Sequence, residues 1–211
     1  MINSEFLKSL NTAQKKAVTH IDGPLLIVAG AGSGKTRVLT SRIANLIKEK
    51  KAFPNQILAV TFTNKAAKEM QKRVSTILKT DANGLPWLGT FHSICAKLLR
   101  RHAPAVNLKS NFTIIDTDDQ SRLIKNICKS EDIDTKHLSP KFILSIIDKW
   151  KNRGFYPNDV ILKNKETFEK NILSLYKIYQ QKLIDLNSCD FGDLILPVSY
   201  THLRAHETCG H

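Results

Sequence analysis

Apolar positions along the chain follow two rhythms. In the first 117 residues, short continuous apolar runs alternate with helically spaced ones. Residues 25–29 (LLIVA) form a compact run suited to a strand buried on both faces. Leu39, Ile43, Leu46 and Ile47 then recur at helical spacing as far as Lys48. Residues 56–62 (QILAVTF) predict a second strand, broken at Thr63 and Asn64, both good helix caps. A helix follows with Ala67, Met70, Val74 and Leu78 on one face. Residues 86–90 predict a third strand, 91–101 a helix and 112–116 a fourth strand. Such alternation predicts an α/β fold with a parallel sheet and helices on both faces. From residue 118 only the helical rhythm remains. It is carried by Leu123, Ile124 and Ile127, then Phe142, Ile143, Ile146 and Ile147, then Ile172, Leu175, Tyr176 and Tyr179. Breaks at Ser139-Pro140, Gly154 and Pro157 separate the pieces. Residues 118–189 therefore predict a small all-helical domain or insertion.

Charge adds a partner class. Lys and Arg number 32 against 19 Asp and Glu, a net +13, which attracts polyanions such as nucleic acid, although solubility alone also accounts for it. With 42% hydrophobic residues and 24% charged, the composition is that of a soluble globular chain. The apolar runs are too short to span a membrane, and the N-terminus carries no signal-peptide pattern, so a cytoplasmic protein is expected. Cys95, Cys128, Cys189 and Cys209 form no CxxC pair and read as reduced thiols.

The first run leads into Ala29-Gly30-Ala31-Gly32-Ser33-Gly34-Lys35-Thr36, a P-loop pattern with Ala29 where the strict form has glycine. Glycines let backbone N–H groups turn around phosphates, and the following helix N-terminus favours negative charge. Lys35 would reach the β and γ phosphates, and the Thr36 hydroxyl would ligate Mg²⁺, so ATP and Mg²⁺ are the expected cofactors. Upstream, the Gln14 amide can match the edge of adenine, or lie unused on a surface helix. Downstream, Thr61, Phe62, Thr63, Asn64 and Lys65 gather at the C-terminal end of a strand, where α/β proteins bind ligands. An aromatic beside hydroxyls, an amide and a cation suits single-stranded nucleic acid; a core Phe and a capped helix is the competing reading. Thr90, Phe91 and His92 repeat that chemistry at another strand end.

In order and spacing, LNTAQKKAV, AGAGSGKTR, AVTFTNKAAKEM and WLGTFHSICAKLLR resemble the N-terminus of a UvrD/Rep-type superfamily 1 DNA helicase. The likeness continues through FTIIDTDDQ to LNSCDFGDLI, covering roughly residues 5–196. It implies a P-loop RecA-like ATP-binding domain over 1–117, incomplete, then a helical DNA-contacting insertion over 118–189, with 190–198 starting the return. It also implies that Gln14 reads adenine and that Arg37 lies beside the nucleotide. Thr61 to Lys65 and Thr90 to His92 would line a single-strand track, with Phe62 stacking on bases, in a motor moving 3′ to 5′ on DNA. Single-stranded and duplex-junction DNA are the implied partners, and no membrane is. The family's Asp-Glu pair, which holds Mg²⁺ and positions water, has no counterpart here, so the chain reads as a hydrolysis-deficient fragment. Asp190 and Asp193 read as helix-capping or surface residues. Residues 199–211 resemble translated adapter read-through, and read as a non-native or disordered tail despite His202, His206, Cys209 and His211, whose number would suffice for zinc. The alternatives are the motor of a helicase–nuclease, a non-hydrolysing P-loop module acting on something other than DNA, and a non-catalytic DNA-binding piece.

Overall fold

The computed structural model describes residues 5–80, 84–133, 138–162 and 167–195. The expected tail, 199–211, lies outside them. The chain divides into two compact units, one ending at Ile94 and the other beginning at Cys95.

The first unit opens with α1 (Glu5–Lys8) and α2 (Thr12–Thr19). Asn11 starts α2 by a reciprocal cap: its side chain accepts from the Gln14 N–H at 2.9 Å, and the Gln14 side chain accepts from the Asn11 N–H at 3.2 Å. Then come α3 (Lys35–Lys48), β1 (Ala59–Thr61), α4 (Asn64–Leu78) and β2 (Leu88–Thr90). Helix α5 (Phe91–Arg101) starts directly from β2. The core joins Ile43 of α3, Ala59 and Leu88 of the strands, Leu85, and Ala67, Met70 and Val74 of α4. The α4 residues are the face that the apolar spacing predicts, and each large side chain so buried contributes roughly 1.5–3 kcal/mol. β1 and β2 pair in parallel with Thr61 opposite Thr90.

One expected strand does not form. Residues 25–29 run without regular structure, and Leu26 and Val28 are 87% and 88% exposed. A strand is defined by its neighbours, and among the described residues no strand pairs with this run. The second strand is also shorter than its apolar run: a 3-10 turn at Pro54–Gln56 takes the first residue, and pairing with β2 covers only Ala59–Thr61.

The second unit contains β3 (Thr113–Ile114), α6 (Thr117–Ser130), α7 (Pro140–Lys151), α8 (Thr167–Asp185) and β4 (Ser188–Cys189), followed by a helical turn at 191–195. Asp116 caps α6, and Ser139 caps α7 with Pro140 at its first position. Ile124, Ile127, Ile143, Ile147, Ile172, Leu175, Tyr176 and Tyr179 make the helical core. β3 and β4 pair in parallel, Thr113 opposite Ser188, so the helical stretch leaves and returns at neighbouring points. A smaller core of Leu99, Phe112, Cys189 and Leu194 lies around that pair.

Asp190 and Asp193 correct the sequence reading. They do cap the turn at 191–195, the Asp193 N–H donating to the Asp190 carboxylate at 2.8 Å and the Asp190 N–H to that of Asp193 at 3.3 Å. They are not surface residues: they are 1% and 4% exposed. Lys151 of α7 reaches between them, its ammonium 2.6 Å from Asp190 and 2.8 Å from Asp193. The Tyr179 hydroxyl donates to Asp190 at 2.9 Å and the Gln180 amide to Asp193 at 3.0 Å. Gly192 makes room, since a Cβ there would stand 2.8 Å from the Lys151 Cδ.

This cluster sets the response to alkali. Burial alone would lower the pKa of the Lys151 ammonium, but attraction and hydrogen bonds from Asp193 and Asp190 outweigh it and hold it above its ordinary value. Burial, reinforced by Asp193 and Asp190, pushes the Cys189 thiol up to about 12 and raises the Tyr176 phenol; burial, followed by the charge and hydrogen bond of Asp190, raises that of Tyr179. In each case the folded chain keeps a proton that the unfolded chain releases, so stability declines as pH rises above about 9. Melting temperature followed from pH 8 to 11.5 is expected to fall steadily; a constant value would contradict these assignments.

Candidate nucleotide and nucleic-acid site

The glycine loop lies in the first unit and ends where α3 begins. Gly32 and Gly34 have φ of +75° and +87°, the left-handed region that glycine adopts without strain. At Gly34 a side chain would also collide with Gln14, its Cβ 2.9 Å from the Gln14 amide nitrogen. Gly34 starts α3 without any side-chain cap among the described residues, so the first N–H groups of that helix are left facing the loop. Inside the loop the Ser33 hydroxyl donates to the Gly30 carbonyl at 2.7 Å. The Lys35 ammonium folds back over it, 2.7 Å from the Ala29 carbonyl and 3.0 Å from that of Gly30. A cation, free helix N–H groups and glycine backbone around one turn fit a polyphosphate, and the exposed Thr36 at the start of α3 fits its metal ion.

Gln14 belongs to this loop. Its amide donates to the Ser33 carbonyl at 3.1 Å, while its oxygen is held by the cap at Asn11. The residues alone left Gln14 open between an adenine contact and an unused surface position; packing α2 on α3 brings it to the glycines. Arg37, one turn along α3, lines a cavity of about 420 Å³ with Phe6, Ser9, Thr40, Lys72 and Arg73.

The parallel register brings the other two groups of residues together. Thr61 stands opposite Thr90, so residues 61–65 and 90–92 leave the same sheet edge side by side. Phe62 is 104% exposed, which removes the core reading of that ring. Phe91 is also exposed, and so are Thr63, Asn64, Lys65 and His92. Thr63 caps α4, its oxygen accepting from the Ala66 N–H at 3.2 Å, and the Thr90 oxygen accepts from the Ser93 N–H at 3.3 Å. Two helix N-termini thus face one edge, a setting that favours negative charge. Ser93 and Gly89 take part although sequence reading passed over them. A Cβ on Gly89 would come within 2.5 Å of the Ser93 hydroxyl oxygen. The only signal was the spacing of Thr90 and Ser93, that of a cap and its third helical residue. Among the described residues no three His, Cys, Asp or Glu side chains gather as a metal site, and no helix is long and apolar enough to cross a membrane.

Residues 10–208 match the family model of the UvrD/REP helicase N-terminal domain. A probable DNA helicase II homolog of Rickettsia conorii is 49% identical over 199 residues, 93% of this chain and 30% of that protein. The ATP-dependent DNA helicase PcrA of Bacillus subtilis is 45% identical over 195 residues, 92% of this chain and 26% of its own. The chain thus spans less than a third of the length of these relatives. With the family model matched over nearly its whole length, the chain belongs to the UvrD/REP helicase N-terminal domain family.

Proposed function

We propose that the chain is the ATP- and DNA-binding front part of an ATP-dependent DNA helicase that moves 3′ to 5′ on a single strand. In this reading residues 1–117 are an incomplete RecA-like domain, 118–189 a helical insertion that contacts DNA, and 190–198 the return toward the first. ATP bound with Mg²⁺ supplies the phosphoanhydride whose hydrolysis drives such a motor. Gln14 orients the base, with Arg37 beside it; Ala29 to Gly34 wrap the phosphates; Lys35 neutralises them; and Thr36 offers its hydroxyl to the metal. The water-activating carboxylate pair of the family has no counterpart in the sequence, so binding without turnover is expected of this chain. A cytoplasmic location accords with DNA as substrate.

The observation that carries the DNA half is the register of Thr61 opposite Thr90, with Phe62 fully exposed between two helix starts. Bases stacking on that ring would leave the backbone within reach of Thr63, Asn64, Lys65, Thr90 and His92. Phe62→Ala is expected to weaken binding of a single-stranded oligonucleotide by about 1–3 kcal/mol, measured by fluorescence anisotropy. Unchanged affinity would remove the stacking role.

A further inference from the structure

Resting on that reading of the sheet edge, we infer that Thr61 is a positioning residue. Its hydroxyl braces the turn that holds Phe62 in solvent, and it makes no contact with DNA itself. A threonine hydroxyl has one hydrogen, and phosphate oxygens only accept. In Thr61 that hydrogen is directed to the Thr63 carbonyl at 3.0 Å and shared with the Gly89 carbonyl at 3.5 Å. The first bond spans Phe62, tying the residue before the ring to the residue after it. The second reaches across to β2, one residue before Thr90. Together they fix the backbone of Phe62 on both sides and drive its ring outward, in keeping with its complete exposure.

The other hydroxyls at this edge divide cleanly by what their hydrogens do. Ser93 donates to the Thr90 carbonyl at 2.9 Å, so it too is turned inward. Thr63 and Thr90 use their oxygens as acceptors for the N–H groups of Ala66 and Ser93, leaving their hydrogens uncommitted among the described residues. Those two can cap a helix and donate to a phosphate at once; Thr61 can do so only by releasing the turn. Gly89 keeps the brace close, because the backbone carrying the accepting carbonyl has no space for a Cβ beside Ser93.

The test is a salt titration of single-strand affinity, using a labelled oligo-dT and the variants Thr61→Val, Thr61→Ser, Phe62→Ala and the Thr61→Val/Phe62→Ala pair. Thr61→Val is expected to weaken binding roughly threefold to tenfold, the scale of one hydrogen bond. The slope of log affinity against log salt should stay that of the wild type, since a neutral side chain displaces no counterion; a changed slope would mean that the effect runs through cationic phosphate contacts and not through the ring. Thr61→Ser, which keeps the hydroxyl, should bind almost as the wild type does and serves as the folding control. In the Phe62→Ala background the valine should cost nothing further, because there is no ring left to hold. An undiminished valine effect without Phe62 would mean that the Thr61 hydroxyl acts on the DNA independently of the ring, and would overturn the inference. So would a changed salt slope, or a valine variant that binds as the wild type does. A wild-type chain with no affinity for the oligonucleotide would overturn the DNA reading and this role with it.

Discussion

Lys151→Met is expected to destabilise the second unit by about 3–5 kcal/mol, the cost of leaving a buried charge without its partner. The substitution fills most of the same volume, so loss of packing is a minor part of that figure. What remains is a pair of carboxylates, Asp190 and Asp193, at 1% and 4% exposure with no cation between them. Tyr179 and Gln180 still donate one hydrogen bond to each, which is not enough to hold two adjacent negative charges out of water. Replacing all three, as Lys151→Met/Asp190→Asn/Asp193→Asn, is expected to recover most of the loss, because buried ion groups exchanged together for neutral ones of similar size are often neutral or better. Urea unfolding followed by circular dichroism measures both variants. A methionine variant within about 1 kcal/mol of the wild type would mean that water reaches the cluster in solution.

The second large effect is expected at the loop. Lys35→Ala should lower ATP affinity about a hundredfold, since each charge-assisted hydrogen bond to a phosphate is worth roughly 1.5–3 kcal/mol. Lys35 is exposed and its ammonium bonds the Ala29 and Gly30 carbonyls at the surface, so the melting temperature should move little. That contrast separates loss of a ligand contact from loss of fold. Calorimetric titration of ATP with Mg²⁺ makes the measurement, and equal affinity in the two proteins would place the nucleotide elsewhere. DNA-stimulated turnover by the wild-type chain would overturn the expectation of binding without hydrolysis.

How much of this the sequence disclosed depended on how local each cause is. The helices were legible because their faces repeat within a few turns: Ala67, Met70 and Val74 on α4, Ile143 and Ile147 on α7. The start of α4 was legible too, where Thr63 caps with a side chain three residues from the N–H it satisfies, and the break at Ser139-Pro140 marked the start of α7. The strand at 25–29 was misread, since an apolar run states only that it can be buried, and pairing depends on a neighbour the run does not encode. Gln14 was visible as chemistry and invisible as geometry; only the packing of α2 on α3 joins it to Ser33. Capping was one of two roles that the sequence offered for Asp190 and Asp193, and their burial was not foreseen. Lys151 lies 39 residues from one carboxylate and 42 from the other, and nothing in its surroundings distinguishes it from the lysine two positions earlier.

The pairing of β3 with β4 bears on how the chain reaches this state. Lys109 and Asn187 bond across that junction although 78 residues separate them. Closing so long a segment from a random coil is entropically costly, though the cost grows only with the logarithm of its length. Helices α6, α7 and α8 pack on one another, and contacts of shorter sequence separation favour their assembly ahead of the ladder, so the two ends are expected to be brought together by the helices first. The ribbon is then the late step, and residues such as Ile114 and Cys189 should influence the rate of unfolding far more than the rate of folding.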